Sequence, residues 1–232
     1  MPKIFVIVLM IVMSHFCFAD EWTSKFDIEG DNPIVSDDII SFSAISSQYL
    51  TTNGHGWRNE LKKKKKLRTS MYSTHEKISA KLSFNLDAGN KTIITQYHEE
   101  GTGTVVLLYV SDFPENKMLN GIYNDGVFDV YVRYTDVQNQ SKLIVIGTIN
   151  SGDTVDYSME NNQGDITLMF QDESYTFRTK DASNVYLKFG DYLQAQSPET
   201  KTYLDHDDYA EFYENVVTDM VTFNDFNYTE SD

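Results

Sequence analysis

Three short segments of the chain carry polar or ionisable residues at a spacing of two. They are Trp57-Arg58-Asn59-Glu60-Leu61-Lys62, Thr95-Gln96-Tyr97-His98 and Tyr186-Leu187-Lys188-Phe189-Gly190-Asp191-Tyr192-Leu193-Gln194. On a β-strand that spacing puts alternate side chains on one face. One face would show Arg58, Glu60 and Lys62, a second Gln96 and His98, and a third Tyr186, Lys188, Gly190, Tyr192 and Gln194. Buried sheet faces normally carry apolar residues, so three polar faces predict a wet groove.

These residue types suit β-elimination from a 4-O-linked uronate, which begins with loss of the C5 proton beside the carboxylate. That proton is barely acidic until the carboxylate is neutralised and the developing enolate-like dianion is held. Arg58 offers a bidentate fork and Gln96 an amide donor for that task. His98 titrates near neutrality and is the candidate base. Tyr192 can protonate the leaving oxygen, or act as base when the proton lies on its side. The second role needs its pKa to fall from about 10, which a nearby Lys188 or Arg58 would favour. No metal or redox cofactor is demanded. A Gln-x-His or Arg-x-Glu pair alone is common in ordinary sheets. The Tyr186–Gln194 segment is more specific, because Gly190 allows a close approach to the strand.

The elements that must position these residues read as strands. Period-two alternation predicts strands near Ile78–Leu86, Thr92–His98, Thr104–Val110, Val127–Tyr134, Leu143–Ile149, Val155–Met159, Ile166–Phe170, Tyr175–Thr179, Val185–Leu193 and Val221–Tyr228. Gly, Asn and Asp clusters separate them, as in Asn124-Asp125-Gly126 and Asn150-Ser151-Gly152-Asp153. Many short strands with regular turns predict an all-β sandwich or jelly roll. One helix is predicted over Asp207–Val217, and the acidic stretch Asp20–Asp38 reads as loop.

The chain has 232 residues, enough for one domain with a full core. Its net charge of −16 excludes nucleic acid as a natural partner. A polyanionic sugar needs only a locally basic groove, because salt confines surface charge to about 8 Å. Arg58, the run Lys62–Lys66 and Arg68 offer one, with Lys62, Lys64 and Lys66 on the groove side if the strand continues. Lys3 followed by the apolar run Ile4–Met13 predicts an export signal, cleaved after Ala19. Residues 20–232 would then form one secreted domain, extracellular or periplasmic, with no membrane attachment after signal removal and expected to be a monomer. Cys17 is the only cysteine, so its removal excludes disulfides and thiol chemistry.

The three segments resemble the signature motifs of the alginate lyases of polysaccharide lyase family seven: Arg-x-Glu-Leu-Arg, Gln-Ile/Val-His and Tyr-Phe-Lys-Ala-Gly-x-Tyr-x-Gln. The resemblance covers roughly Ile39 to Tyr228. It implies a β-jelly roll with a concave groove and β-elimination on alginate, an anionic polysaccharide. Arg58 and Gln96 match the carboxylate neutralisers, His98 the base and Tyr192 the acid/base, while Glu60, Lys62, Lys188 and Gln194 match groove-lining positions. Lys62 stands where the motif has its second Arg, keeping the charge without the fork. Tyr97 occupies the position that tracks block preference in the family. Phe189 replaces Ala and should point away from the groove. Another polyuronate such as glucuronan stays open as substrate, and a non-catalytic carbohydrate-binding jelly roll would keep the basic groove without needing Tyr192.

Overall fold

The computed structural model describes residues 18–36, 38–101, 103–113 and 118–231. Apart from Phe18 and Ala19, the expected export signal lies outside the described residues. No described helix is long and apolar enough to cross a membrane. The strands run in chain order as β1 (Phe26–Glu29), β2 (Ile34–Ser36), β3 (Ile39–Phe42), β4 (Arg58–Lys63), β5 (His75–Leu86), β6 (Lys91–Glu99), β7 (Gly103–Ser111), β8 (Val127–Thr135), β9 (Ser141–Asn150), β10 (Thr154–Asn162), β11 (Asp165–Phe170), β12 (Glu173–Arg178), β13 (Val185–Leu193) and β14 (Asp219–Glu230). They form two seven-stranded antiparallel sheets, in the orders β1-β4-β13-β6-β7-β8-β9 and β12-β11-β10-β5-β14-β3-β2. The two sheets make the sandwich that the alternating pattern predicts, with the jelly-roll architecture. Long crossovers such as β4 to β13 bring the three polar segments together as neighbouring strands.

The core lies between the sheets. Period-two alternation decides which residues enter it: β5 buries Ile78, Ala80, Leu82, Phe84 and Leu86 while its alternate residues face outward. Phe189 sits fully buried in an aromatic cluster, edge-on to Phe26, Phe42 and Phe223 at centroid distances of 5.3, 5.9 and 5.3 Å. It thus points away from the outer face of its sheet, as its position two residues from Leu187 requires. Aromatic pairs of this kind are worth about 0.5–1.5 kcal/mol each beyond their area.

The structure differs from the sequence reading in three elements. The acidic stretch expected to be loop holds the end of a helix, α1 (Phe18–Lys25), and strands β1 and β2. Edge strands of three or four residues carry too few positions for alternation to be visible. The helix expected over Asp207–Val217 shrinks to a 3-10 turn, His206–Asp208, and one turn of α-helix at Tyr209–Phe212. Its C-terminal half is lost because the Val217 and Thr218 amides donate to Asp87 Oδ2 (2.6 and 2.9 Å) rather than to helix carbonyls. The lysine run also does not stay extended: β4 ends at Lys63 and the chain turns through a 3-10 segment at Lys65–Leu67.

Candidate active site

Register builds the site. Across the sheet, Lys62 of β4 pairs with Lys188 of β13, and Lys188 with Gln96 of β6. Toward one end Tyr186 pairs with His98, and toward the other Arg58 pairs with Tyr192. Directly paired residues share a face, so these seven side chains all project from the outer face of one sheet. They line a cleft of about 720 Å³ together with Glu29, Thr51, Asn53, His55, Tyr109, Gln194 and Tyr203, among others.

Gly190 makes this alignment possible. Its φ of +143° and its closeness to β4 exclude a side chain: a Cβ there would lie 2.4 Å from the Asn59 carbonyl oxygen. The close approach expected of this glycine is to the β4 backbone. The register against β6 shifts between Phe189 and Tyr192, but against β4 it is unbroken, so alternation through Gly190 keeps Tyr192 on the cleft face.

Tyr192 is held on three sides. Its ring lies under the Arg58 guanidinium, 3.7 Å from the guanidinium carbon to the ring centroid. Its hydroxyl oxygen accepts the His55 backbone N–H at 2.6 Å, and its own N–H donates to Thr92 Oγ1. The loop carrying His55 is pinned through Gly54, whose carbonyl accepts from His206 Nε2 and the Tyr209 hydroxyl (3.0 and 3.1 Å). Burial raises the Tyr192 pKa above its usual value, and the opposing pull of Arg58 and the His55 amide does not overcome it. The lowering expected from the neighbouring cations is therefore corrected: desolvation of the phenolate outweighs their attraction, and the hydroxyl stays protonated.

His98 lies at the other end. Its Nδ1 is 2.9 Å from the Glu99 carbonyl oxygen, which can only accept, so Nδ1 carries the hydrogen in the neutral ring. The Tyr186 hydroxyl, 3.1 Å from the same nitrogen, shares that hydrogen, and the two rings stack at 5.3 Å. Nε2 keeps its lone pair. Burial pushes the imidazole pKa below its usual value, with the Lys188 charge adding to the effect. The ring is thus neutral at neutral pH, the state a general base requires.

Glu60 lies almost fully covered beneath the cleft rather than lining it. It accepts from Gln96 Nε2 at 2.6 Å and pairs with Arg58 Nη1 (3.4 Å) and Lys188 Nζ (3.5 Å). It therefore orients the donors from below, and the second Gln96 N–H is left for a ligand. Gln194 turns its amide back to the Tyr192 and Leu193 carbonyls (3.2 and 3.4 Å).

Two expectations are corrected here. Lys64 does not line the cleft: its Nζ donates to the Thr23 carbonyl at 2.6 Å, because the chain has left the strand. The rest of the lysine run disperses too. Lys63 is buried between Glu76 and Glu230 (2.9 and 2.5 Å), Lys65 pairs with Glu100, and Arg68 lies over the Tyr186 ring. The cationic part of the cleft is Arg58, Lys62 and Lys188. Tyr97 is fully buried on the opposite face of β6, so any influence it has on a ligand passes through packing.

Sequence reasoning missed Glu29 and His55. Glu29 comes from short edge strand β1 and bridges Lys62 (2.5 Å) and Lys188, with Arg58 3.8 Å away. Burial pushes its carboxyl up, but the two lysines outweigh this and pull it down to about 2. His55 acts on Tyr192 through its backbone, which no side-chain pattern could reveal.

The alginate lyase profile matches residues 28–220. An alginate lyase from Alteromonas sp. 272 is 35% identical, with 90% of this chain and 95% of that one covered at a TM-score of 0.86. The same identity and TM-score relate the chain to a polysaccharide lyase of family 18, aly-SJ02, covering 90% of this chain and 96% of that one. A family-seven alginate lyase from Zobellia galactanivorans is 14% identical at a TM-score of 0.56, covering 89% of this chain and 95% of that one, a likeness of fold alone. The family-seven resemblance of the motifs thus widens to alginate lyases at large. No curated protein matches the chain.

Proposed function

The chain belongs to the alginate lyase family and is a polysaccharide lyase; on that premise we propose that it cleaves alginate by β-elimination, with Arg58, Gln96, His98 and Tyr192 doing the chemistry. Arg58 and Gln96 neutralise the uronate carboxylate in the cleft, so that charge developing toward C5 meets donors already oriented by Glu60. His98 Nε2 takes the C5 proton, the C4–C5 double bond forms, and the C4–O bond breaks. The Tyr192 hydroxyl donates its proton to the departing oxygen, and the phenolate left behind is held by the His55 amide and the Arg58 guanidinium. Where the C5 proton faces Tyr192 instead, Tyr192 takes both roles, which its raised pKa makes the harder route. Lys62, Lys188, Tyr186 and Gln194 bind the chain around the reacting sugar.

One observation carries this reading: a neutral imidazole with a free Nε2 and a protonated, stacked phenol flank a Gln–Lys rung on one sheet face. We further propose that residues 1–19 direct export and that the enzyme works outside the cytoplasm as a monomer on an anionic polysaccharide. Purified protein incubated with polymannuronate, polyguluronate and glucuronan should generate the ultraviolet absorbance of an unsaturated uronate on an alginate block. Absorbance on glucuronan alone would move the substrate assignment, and absorbance on none would reject the activity. N-terminal sequencing of exported protein should begin at Asp20.

A further inference from the structure

The cleft's cations are not open to an incoming anion. Arg58, Lys62 and Lys188 all face Glu29, which among the described residues is the acidic side chain lining the cleft. Its register partner is Glu60, so the two carboxylates lie side by side on the cleft face, Glu60 covered and Glu29 partly open. Glu29 is not needed to anchor its strand. Phe26 does that from the core side, with edge contacts to Phe189 and Tyr228 at 5.3 and 5.0 Å, while the β1–β4 register supplies the backbone pairing. Lys62 and Lys188 are direct cross-strand neighbours, and the carboxylate that joins them has the charge and shape of the group a uronate would bring there.

We infer that Glu29 is a resident counter-ion standing in a carboxylate subsite, and that polyuronate must displace it from Lys62 and Lys188 to bind. This deepens the proposed function and rests on it for the identity of the ligand. Glu29 then sets affinity and salt response. With the anion in place, three cations stand against two carboxylates, and the cleft gives up few counter-ions when substrate enters. Without it, the two lysines meet the polyanion directly, and binding gains strength and salt sensitivity together.

The test is calorimetric titration with alginate oligomers in a Tyr192→Phe background, where turnover is slowed. Glu29→Gln keeps the shape and removes the charge. It should bind roughly tenfold tighter at about 50 mM salt, and its affinity should fall more steeply toward about 200 mM, by nearly one extra unit of log–log slope. Glu173→Gln, on exposed β12 of the other sheet, makes the same change in net charge and should bind like its parent. Unchanged or weaker binding in Glu29→Gln would overturn the inference, since Glu29 would then be holding the lysines for substrate. An equal gain in Glu173→Gln would overturn it as well, by attributing the effect to overall charge. Failure of the lyase assignment is read separately, as wild-type protein that generates no unsaturated product, whatever the oligomer affinities are.

Discussion

The Tyr192 hydroxyl has one acceptor site filled by the His55 amide, so its own hydrogen is free to point at a ligand oxygen. Replacing it with Phe keeps the Arg58 stack and the packing and removes only the transferable proton. Tyr192→Phe should melt near the wild-type temperature and lose about 10²–10⁴ in kcat. Activity within tenfold of wild type, about 1.4 kcal/mol of barrier, would mean that another group protonates the leaving oxygen. The two pKa directions fix the pH response. A base works only unprotonated, and burial and Lys188 hold His98 below its usual value, so the acid limb of kcat/KM should begin only below about pH 6.5. The acid must be protonated, and burial holds Tyr192 above its usual value, so the alkaline limb should lie beyond about pH 10. His98→Ala should abolish the acid limb and cost activity on at least one pure-block substrate. Full activity on both blocks would remove His98 from the mechanism.

At the scale of elements, β13 carries the most. Buried along its whole length, it joins β4 to β6 and contributes three cleft side chains ahead of Gln194. Its geometry depends on Gly190, where an added methyl meets the Asn59 carbonyl and the φ of +143° disfavours any side chain. Gly190→Ala should cost roughly 1–3 kcal/mol from the backbone conformation alone, or about 5–10 °C in melting temperature once the contact is added. Because Tyr192 lies two residues further on, kcat should fall by more than the folded fraction does. A variant that melts early but retains full activity per folded molecule would show that the Gly190 backbone does not aim Tyr192.

At the scale of the whole molecule, the sheets are joined behind the cleft by two buried carboxyls. Asp191 of β13 accepts from Thr92 Oγ1 (2.6 Å) and the Ala44 amide (2.8 Å), and Asp219 of β14 accepts from the Ile45 amide (2.9 Å). Burial raises both pKa values, and for Asp191 the adjacent Asp219 charge raises it further. A folded-state pKa above the unfolded one means that the native state binds more protons. The pair's contribution is therefore complete below about pH 4 and is lost as pH rises through the folded values. Asp219→Asn places an amide donor where Asp219 Oδ1 now has no hydrogen-bond partner. It should flatten the decline of stability with rising pH in denaturant melts. An unchanged slope would assign the pH dependence to other groups.

Sequence alone determined the all-β class, the strands from β5 to β14, and the faces on which Arg58, Gln96, His98, Lys188 and Tyr192 lie. Each follows from alternation, a local property that repeats often enough along a long strand to be seen. Tertiary structure decided what depends on pairing between distant segments. Lys64 left the groove because β4 stopped a residue earlier, where the chain turned. Lys63 went inward because its face of the strand met Glu76 and Glu230. Glu29 entered the cleft because a four-residue edge strand, too short to show a period, paired with β4. The Tyr192 proton stayed on because desolvation, a property of the packed molecule, exceeded the attraction of cations that the sequence had already placed beside it.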